Sequence, residues 1–165
     1  MASVTRTIAV VLLAIAPVAF TACGTDDGVG GPLPEVQVMP LAGGDAISLS
    51  DIGGPAVINL WATTCVPCRT EIPAFEAVHR SRGDTIRFVG LNFGESAEQA
   101  APFIEQVGAT YDQYLDELGY ATTALDASAM PTTIVVDADG NIATRHIGQM
   151  SMADLNSAID EALGE

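Results

Sequence analysis

The hydrophobic and polar positions from residue 35 onward switch repeatedly between a strand-like and a helix-like period. Apolar or alternating runs predict strands at Ala56–Trp61, Ile86–Asn92, Thr132–Val136 and Asn141–His146. Helices are predicted to begin near Val66, Ser96 and Ser151. Asn59 is the only polar residue of the first run, and so apolar a strand is typical of a sheet covered on both faces.

Two further segments add elements to this pattern. Glu35–Pro40 and Ala46–Leu49 flank a glycine-rich turn and predict an antiparallel edge hairpin. Thr110–Leu125 has the weakest pattern, and it predicts a short strand or turn near Tyr114 followed by a brief helix. The chain therefore predicts an α/β domain over residues 35–165, in which helices cover both sides of one sheet and two extra strands come first.

The N-terminal residues follow a different pattern. Arg6 precedes an apolar run, Ile8–Phe20, which is too short to cross a bilayer core that needs about 20 residues. Residues 1–22 are therefore predicted to be a secretory signal. Phe20-Thr-Ala-Cys23 resembles the lipobox of bacterial lipoproteins, which implies lipidation of Cys23; the alternative is ordinary cleavage that leaves an odd thiol. Residues 23–34, rich in glycine and proline, predict a flexible tether.

The charge of the chain limits its partners. All 21 acidic residues follow Cys23, where there are five arginines and no lysine, and the net charge of the whole chain is −15. Such a surface repels nucleic acid and anionic lipid head groups. We therefore expect no nucleic-acid partner, and membrane contact only through a lipid anchor.

Two cysteines lie where the first long strand turns into a helix. Cys65 and Cys68 lie at the helix N-terminus, whose unsatisfied N–H groups and positive dipole favour a thiolate over a thiol. As a structural staple, so short a ring would stabilise the fold by roughly 2 kcal/mol at most. We therefore predict redox catalysis, with Cys65 as the nucleophile and Cys68 as the resolving thiol. The redox-active disulfide itself carries the electrons, so no cofactor is expected.

Other functions are compatible with a pair of thiols. Metal capture needs further ligands, but His79 and His146 lack metal-site spacing to the cysteines, so no metal is expected. A thiol peroxidase needs Pro and Thr seven and three positions before its cysteine, where this chain has Ile58 and Ala62. A non-catalytic metal-binding or interaction lipoprotein remains a further alternative.

Several motifs together resemble one family. They are Asn59-Leu-Trp61-Ala-Thr, Cys65-Val-Pro-Cys68 with Glu71 and Pro73 after it, and Met130-Pro131-Thr-Thr ahead of a strand. The chain resembles the TlpA/ResA-like branch of the thioredoxin superfamily, extracytoplasmic thiol–disulfide oxidoreductases, over about residues 35–163. The resemblance implies a thioredoxin-like fold with a central mixed sheet flanked by helices, here with an extra N-terminal β-hairpin.

The resemblance also implies contacts with a substrate. A cis Met130–Pro131 bond would face the cysteines and present the backbone of Met130 to a substrate strand. Trp61 and Thr64 are the other candidate substrate-binding residues, although Trp61 also suits packing beneath the turn. The family has Trp immediately before its first cysteine, where this chain has Thr64, and this difference concerns substrate packing and the environment of the thiol.

Three residues near the cysteines have implied supporting roles. Glu71, one helical turn after Cys68, would assist proton transfer; the alternative is a solvated glutamate. Asn59 is expected to form uncharged hydrogen bonds beneath the turn. Pro67 is a structural residue of the turn and adds no charge to it.

The function implied by the resemblance is disulfide exchange with exported proteins. The expected partners are exported protein thiols or disulfides, together with a membrane thiol protein that donates or accepts electrons. By analogy the chain would act as a reductant, for example of the haem-binding cysteines of apocytochrome c. The opposite direction, oxidation of newly exported thiols, is the alternative.

Overall fold

The computed structural model describes residues 29–165. Its strands are β1 (Gln37–Pro40), β2 (Ile47–Ser48), β3 (Ala56–Trp61), β4 (Arg87–Phe93), β5 (Asp112–Asp116), β6 (Thr132–Val136) and β7 (Ile142–Ile147). Its α-helices are α1 (Val66–Arg82), α2 (Ala97–Val107), α3 (Tyr120–Ala124) and α4 (Met152–Leu163), and a 3-10 helix spans Leu49–Ile52.

The seven strands form one mixed sheet in the order β2-β1-β5-β4-β3-β6-β7. Strands β3, β4 and β5 run parallel, and each of the other pairings is antiparallel. The predicted α/β class with a mixed sheet between helices is confirmed. The weakly patterned segment forms a complete strand, β5, which pairs with β4 on one side and with β1 on the other.

Strand β3 occupies the interior of the sheet, and all six of its residues are buried. Its side chains alternate between the two faces. On one face Val57 and Trp61 contact side chains of α1, α2 and α4. On the other face Ile58 and Leu60 contact the apolar side chains of α3 and the 3-10 helix. The end of β3 at Trp61 is therefore held by packing on both faces and by strand pairing on both edges.

A glycine in β4 lets a side chain cross the sheet toward the end of β3. A Cβ atom on Gly90 would lie 1.9 Å from the side-chain oxygen of Gln113. Because Gly90 has none, Gln113 reaches across and accepts a hydrogen bond of 3.1 Å from Nε1 of Trp61. The Trp61 ring also stacks on Phe103 of α2, with 5.1 Å between ring centroids.

The folded domain begins earlier than residue 35, so the predicted tether over residues 23–34 is too long. The amide of Gly30 donates to the carbonyl of Ile142 (2.7 Å), and the amide of Ile142 donates to the carbonyl of Gly31 (2.8 Å). Leu33 is buried in the core. Gly30 has a φ of 87°, a backbone conformation that favours glycine, and Leu33 then fixes the segment by burial.

The predicted signal segment and the lipidation site Cys23 lie outside the described residues. Within residues 29–165, the helices are too short or too polar to cross a membrane.

Gly54→Ala is expected to destabilise the fold just before β3. A Cβ atom at this position would lie 1.8 Å from the backbone carbonyl oxygen of Asp137, so the backbone itself would have to move. Overpacking of this kind costs about 3 kcal/mol. Urea unfolding monitored by circular dichroism would measure the loss. Gly31→Ala is the matched control because its Cβ would meet no atom within 4 Å; equal stability of the two variants would contradict the prediction.

Candidate active site

Cys65 and Cys68 form a disulfide where β3 passes into α1. Cys65 is the N-cap residue of α1, and its sulfur accepts a hydrogen bond of 3.2 Å from the amide of Cys68. Cys65 is half-buried, whereas Cys68 is completely buried. Of the two sulfurs, only that of Cys65 is therefore accessible to a partner molecule. The buried Cys68 is placed to react after it.

The residues around Cys65 form a small exposed surface. Thr64 and Pro67 are exposed, and Val66 is 72% exposed. Thr64 thus offers a short polar side chain at the place where the family resemblance implies Trp. Pro67 lies in the first turn of α1, where its missing N–H leaves no helical hydrogen bond unformed.

The Met130–Pro131 peptide bond is cis, the geometry that the resemblance implies. It immediately precedes β6, which pairs with β3 and brings Thr132 opposite Leu60. Met130 and Cys65 pack against the same apolar cluster beneath the turn. The fold therefore brings the cis proline, some sixty residues away in the chain, beside the disulfide.

Glu71 is buried beneath the cysteine turn, with 1% of its surface exposed. Its carboxyl oxygens accept hydrogen bonds from Nδ2 of Asn59 (2.7 Å) and from the amide of Met150 (2.6 Å). The pKa of this carboxyl is raised overall, because the effect of burial exceeds the opposite effects of the two hydrogen bonds and of the nearby His146. The alternative of a solvated glutamate is excluded, and Asn59 has the uncharged bonding role expected of it.

Trp61 belongs to the packing beneath the turn, and its assignment as a substrate-binding residue is corrected. The side chain is 0% exposed, and its indole N–H is bonded to Gln113. A partner at the surface has no access to a ring that is enclosed between α1, α2 and the sheet.

The loop before Cys65 is held by residues that the sequence did not identify. The carboxylate of Glu95 accepts hydrogen bonds from the amide of Thr63 (2.9 Å), from the Thr63 hydroxyl and from Nδ2 of Asn92 (2.7 Å). Arg69 donates to the carbonyl of Thr63 (3.2 Å). Glu95 follows β4, the parallel neighbour of β3, and the carboxyl ends of parallel strands meet at one edge of a sheet. Its position just after a strand could therefore have predicted that it lies near the cysteine turn.

The alternative chemistries find little support around the disulfide. Among residues 29–165, His, Cys, Asp and Glu side chains form no group of three that could hold a metal ion. Ile58 and Ala62, which stand where a peroxidase needs Pro and Thr, are buried and carry no hydroxyl.

A half-exposed and a buried cysteine, joined at a helix N-terminus beside a cis proline, define a thioredoxin-fold thiol–disulfide oxidoreductase. The chain belongs to the AhpC/TSA family, whose model matches residues 29–145.

Individual relatives agree with this class. The chain is 30% identical over 135 residues to the thioredoxin-like protein YneN of Bacillus subtilis, covering 79% of this chain and 78% of the relative. It is 26% identical over 136 residues to the thiol-disulfide oxidoreductase ResA of Geobacillus kaustophilus, covering 80% and 76%. A secreted thiol-disulfide isomerase from Corynebacterium glutamicum superposes with a TM-score of 0.72 at 25% identity, covering 81% of this chain and 86% of that chain. The resemblance inferred from the motifs is thereby confirmed.

Glu71→Gln is expected to change how stability depends on pH. Burial raises the pKa of Glu71 above its ordinary value of 4.5, so the folded state binds this proton more tightly than the unfolded state. The resulting stabilisation is complete below about pH 4.5 and is lost as the pH rises through the folded-state pKa. Wild type should therefore lose free energy of unfolding, relative to the variant, as the pH rises toward neutrality.

Urea unfolding of both proteins at a series of pH values measures this difference. Glutamine fits the site because Oδ1 of Asn59 has no hydrogen-bond partner among the described residues and can accept from the new amide. Glu105→Gln, at an exposed position on α2, is the matched control. Parallel stability profiles for wild type and Glu71→Gln would show that the prediction is wrong.

Proposed function

We propose that this oxidoreductase reduces disulfides of exported proteins outside the cytoplasm. The observation that supports this direction is the buried Glu71 carboxyl, one helical turn from Cys68. A strong oxidant such as DsbA owes its potential to a stabilised reduced form. A carboxylate beneath the thiols has the opposite effect, because negative charge there disfavours a thiolate.

The charges around the turn act in the same direction. Glu95 places a second carboxylate against the loop that leads to Cys65. The guanidinium of Arg69 donates to Thr63 and lies over the Phe103 ring, 5.0 Å from its centroid. These contacts hold the Arg69 guanidinium against Thr63 and Phe103, and among the described contacts it makes none with either cysteine sulfur. The N-terminus of α1 is then the main feature that favours a thiolate, which supports a potential closer to that of thioredoxin than to that of DsbA.

A substrate strand is proposed to bind across Cys65 and the cis proline. The Met130 backbone would pair with the main chain of the substrate, as an added strand pairs with a sheet edge. Thr64 and Val66 would contact its side chains from the exposed surface beside Cys65. With a short Thr64 in place of an aromatic ring, this surface has room for bulky substrate side chains.

The reaction proceeds by two thiol–disulfide exchanges. The Cys65 thiolate attacks one sulfur of the substrate disulfide, which forms a mixed disulfide and releases the other substrate sulfur as a thiolate. Cys68 then loses its proton and attacks the Cys65 sulfur, which releases the second substrate thiolate. The substrate gains two electrons and two protons, and the protein is left as the Cys65–Cys68 disulfide. In this scheme Glu71 accepts the Cys68 proton.

The proposed location and substrate follow from the N-terminal segment and the relatives. A signal over residues 1–22 and lipidation of Cys23 would hold the domain at the outer face of the cell membrane, where disulfides persist. The Corynebacterium glutamicum neighbour is described as secreted, which agrees with export. The haem-binding cysteine pairs of apocytochrome c are the substrate that the family resemblance implies, and a membrane thiol protein would return the electrons.

The reduction potential tests the direction of electron flow. We expect a value near or below that of thioredoxin, about −270 mV, from equilibration with glutathione or dithiothreitol. Glu71→Gln should shift the potential to a less negative value. The substitution removes a negative charge beside Cys65 and Cys68, so the reduced form of the protein becomes more stable. A wild-type value near about −120 mV, as in DsbA, would overturn the proposal in favour of an oxidant.

Trapping in cells tests substrate and location together. In the full-length chain, Cys68→Ser should accumulate mixed disulfides with exported proteins, because the second exchange is blocked. The adducts should sediment with membranes, and adding Cys23→Ala should release them into the soluble fraction. Cys65→Ser is the matched control and should capture none of these proteins. Adducts limited to cytoplasmic proteins would contradict the proposed location.

A further inference from the structure

A single peptide group connects Glu71 with a histidine at the edge of the sheet. The amide of Met150 donates to Glu71 over 2.6 Å, and the carbonyl of the same peptide group belongs to Gln149. Nε2 of His146, on β7, lies 3.3 Å from that carbonyl oxygen. An N–H on this ring nitrogen therefore donates to the peptide group whose other end binds the carboxyl.

Polar residues also follow a row across the sheet between the two groups. Asn59, Thr133 and His146 are successive cross-strand partners on β3, β6 and β7, so their side chains share one face. Oδ1 of Asn59 and Oγ1 of Thr133 are buried and have no hydrogen-bond partner among the described residues. The interior between Glu71 and His146 is thus polar on a face that is otherwise apolar.

We propose that His146 is a positioning residue for Glu71. Through the Gln149–Met150 peptide group, it influences the ionisation of the carboxyl and connects the carboxyl with solvent. Polarisation of this peptide by the Glu71 carboxylate strengthens the bond from His146, and a proton on His146 strengthens the bond to Glu71. The two groups are therefore coupled over a distance too long for direct contact.

Few other ionisable groups surround Glu71 in the described part of the chain. On α1 the neighbour is Cys68. Ahead of β5, burial and the Glu76 and Glu71 carboxylates raise the pKa of the Tyr111 phenol, which therefore stays neutral. At the start of α4, Asp154 is exposed and bonded to Ser151.

On β7, Arg145 donates to the carbonyl of Leu125, a residue of the core cluster on the opposite face of the sheet. Among the described residues, His146 is thus the basic group placed to influence Glu71.

This coupling has a role in the exchange reaction, and it rests on the proposed function of Glu71. When Cys68 attacks the mixed disulfide, its proton passes to the Glu71 carboxylate, which must lose it again before the next turnover. The imidazole ring of His146 is half-exposed and can exchange a proton with water. A half-exposed His146 keeps a larger fraction of Glu71 ionised when it carries a proton, so more of the protein is ready to accept the Cys68 proton.

His146→Gln tests the coupling directly. Glutamine can still donate an N–H to Gln149 but never carries a charge. A carbon-13 NMR titration of the Glu71 carboxyl in the oxidised protein should give a midpoint about half a pH unit higher in this variant than in wild type. A second readout is the pH profile of mixed-disulfide resolution, measured after reduced protein is mixed with a disulfide substrate. The acid limb of this profile should move in the same direction.

His79→Gln is the matched control because it removes the other histidine, which lies among Phe88 and Tyr111 rather than beside Gln149. It should leave the Glu71 midpoint unchanged. An unchanged midpoint in folded His146→Gln, with the fold verified by circular dichroism, would overturn the proposal. The titration uses no substrate, so an oxidising potential would contradict the proposed direction of electron flow without affecting this result.

Discussion

Strand β3 is paired on both edges and buried on both faces, and the cysteine turn takes its surroundings from this position. β4 ends beside it, which brings Glu95 against the loop before Cys65. β6 begins beside it, which brings the cis Met130–Pro131 bond to the same edge. The same thiol pair at the end of an outer strand would lack at least one of these neighbours.

Beneath that turn the structure buries an acid. A buried carboxylate is unfavourable without hydrogen bonds, and Glu71 obtains them from β3 and from the loop after β7. Burial still dominates and raises the pKa of the carboxyl. The disulfide therefore lies above a carboxyl group that, in the proposed reaction, accepts the Cys68 proton. The negative charge near the thiols is the feature that supports the proposed reducing role.

Much of the fold and the reactive pair could be predicted from the sequence because the signals were local. The run from Ala56 to Trp61 predicted a buried strand, and Cys65 and Cys68 followed it at a helix start, as found. Local signals failed where distant segments meet. Gly30–Leu33 looked like a tether because glycine and proline give no periodicity, yet this segment pairs with β7. Trp61 looked available to a substrate, yet α2 covers it.

By itself, the sequence determined the α/β class, the position of the thiol pair and its chemistry, because periodicity and helix-terminus effects depend on neighbours in the chain. Only the tertiary structure decided which residues surround the pair. Glu71 is an acid in a helix by sequence, and it becomes a buried, coupled group only when the Gln149–Met150 peptide lies between it and His146. The hydrogen bond between Met150 and Glu71 joins residues 79 positions apart in the chain. A pattern of neighbouring residues cannot predict a contact between such distant positions.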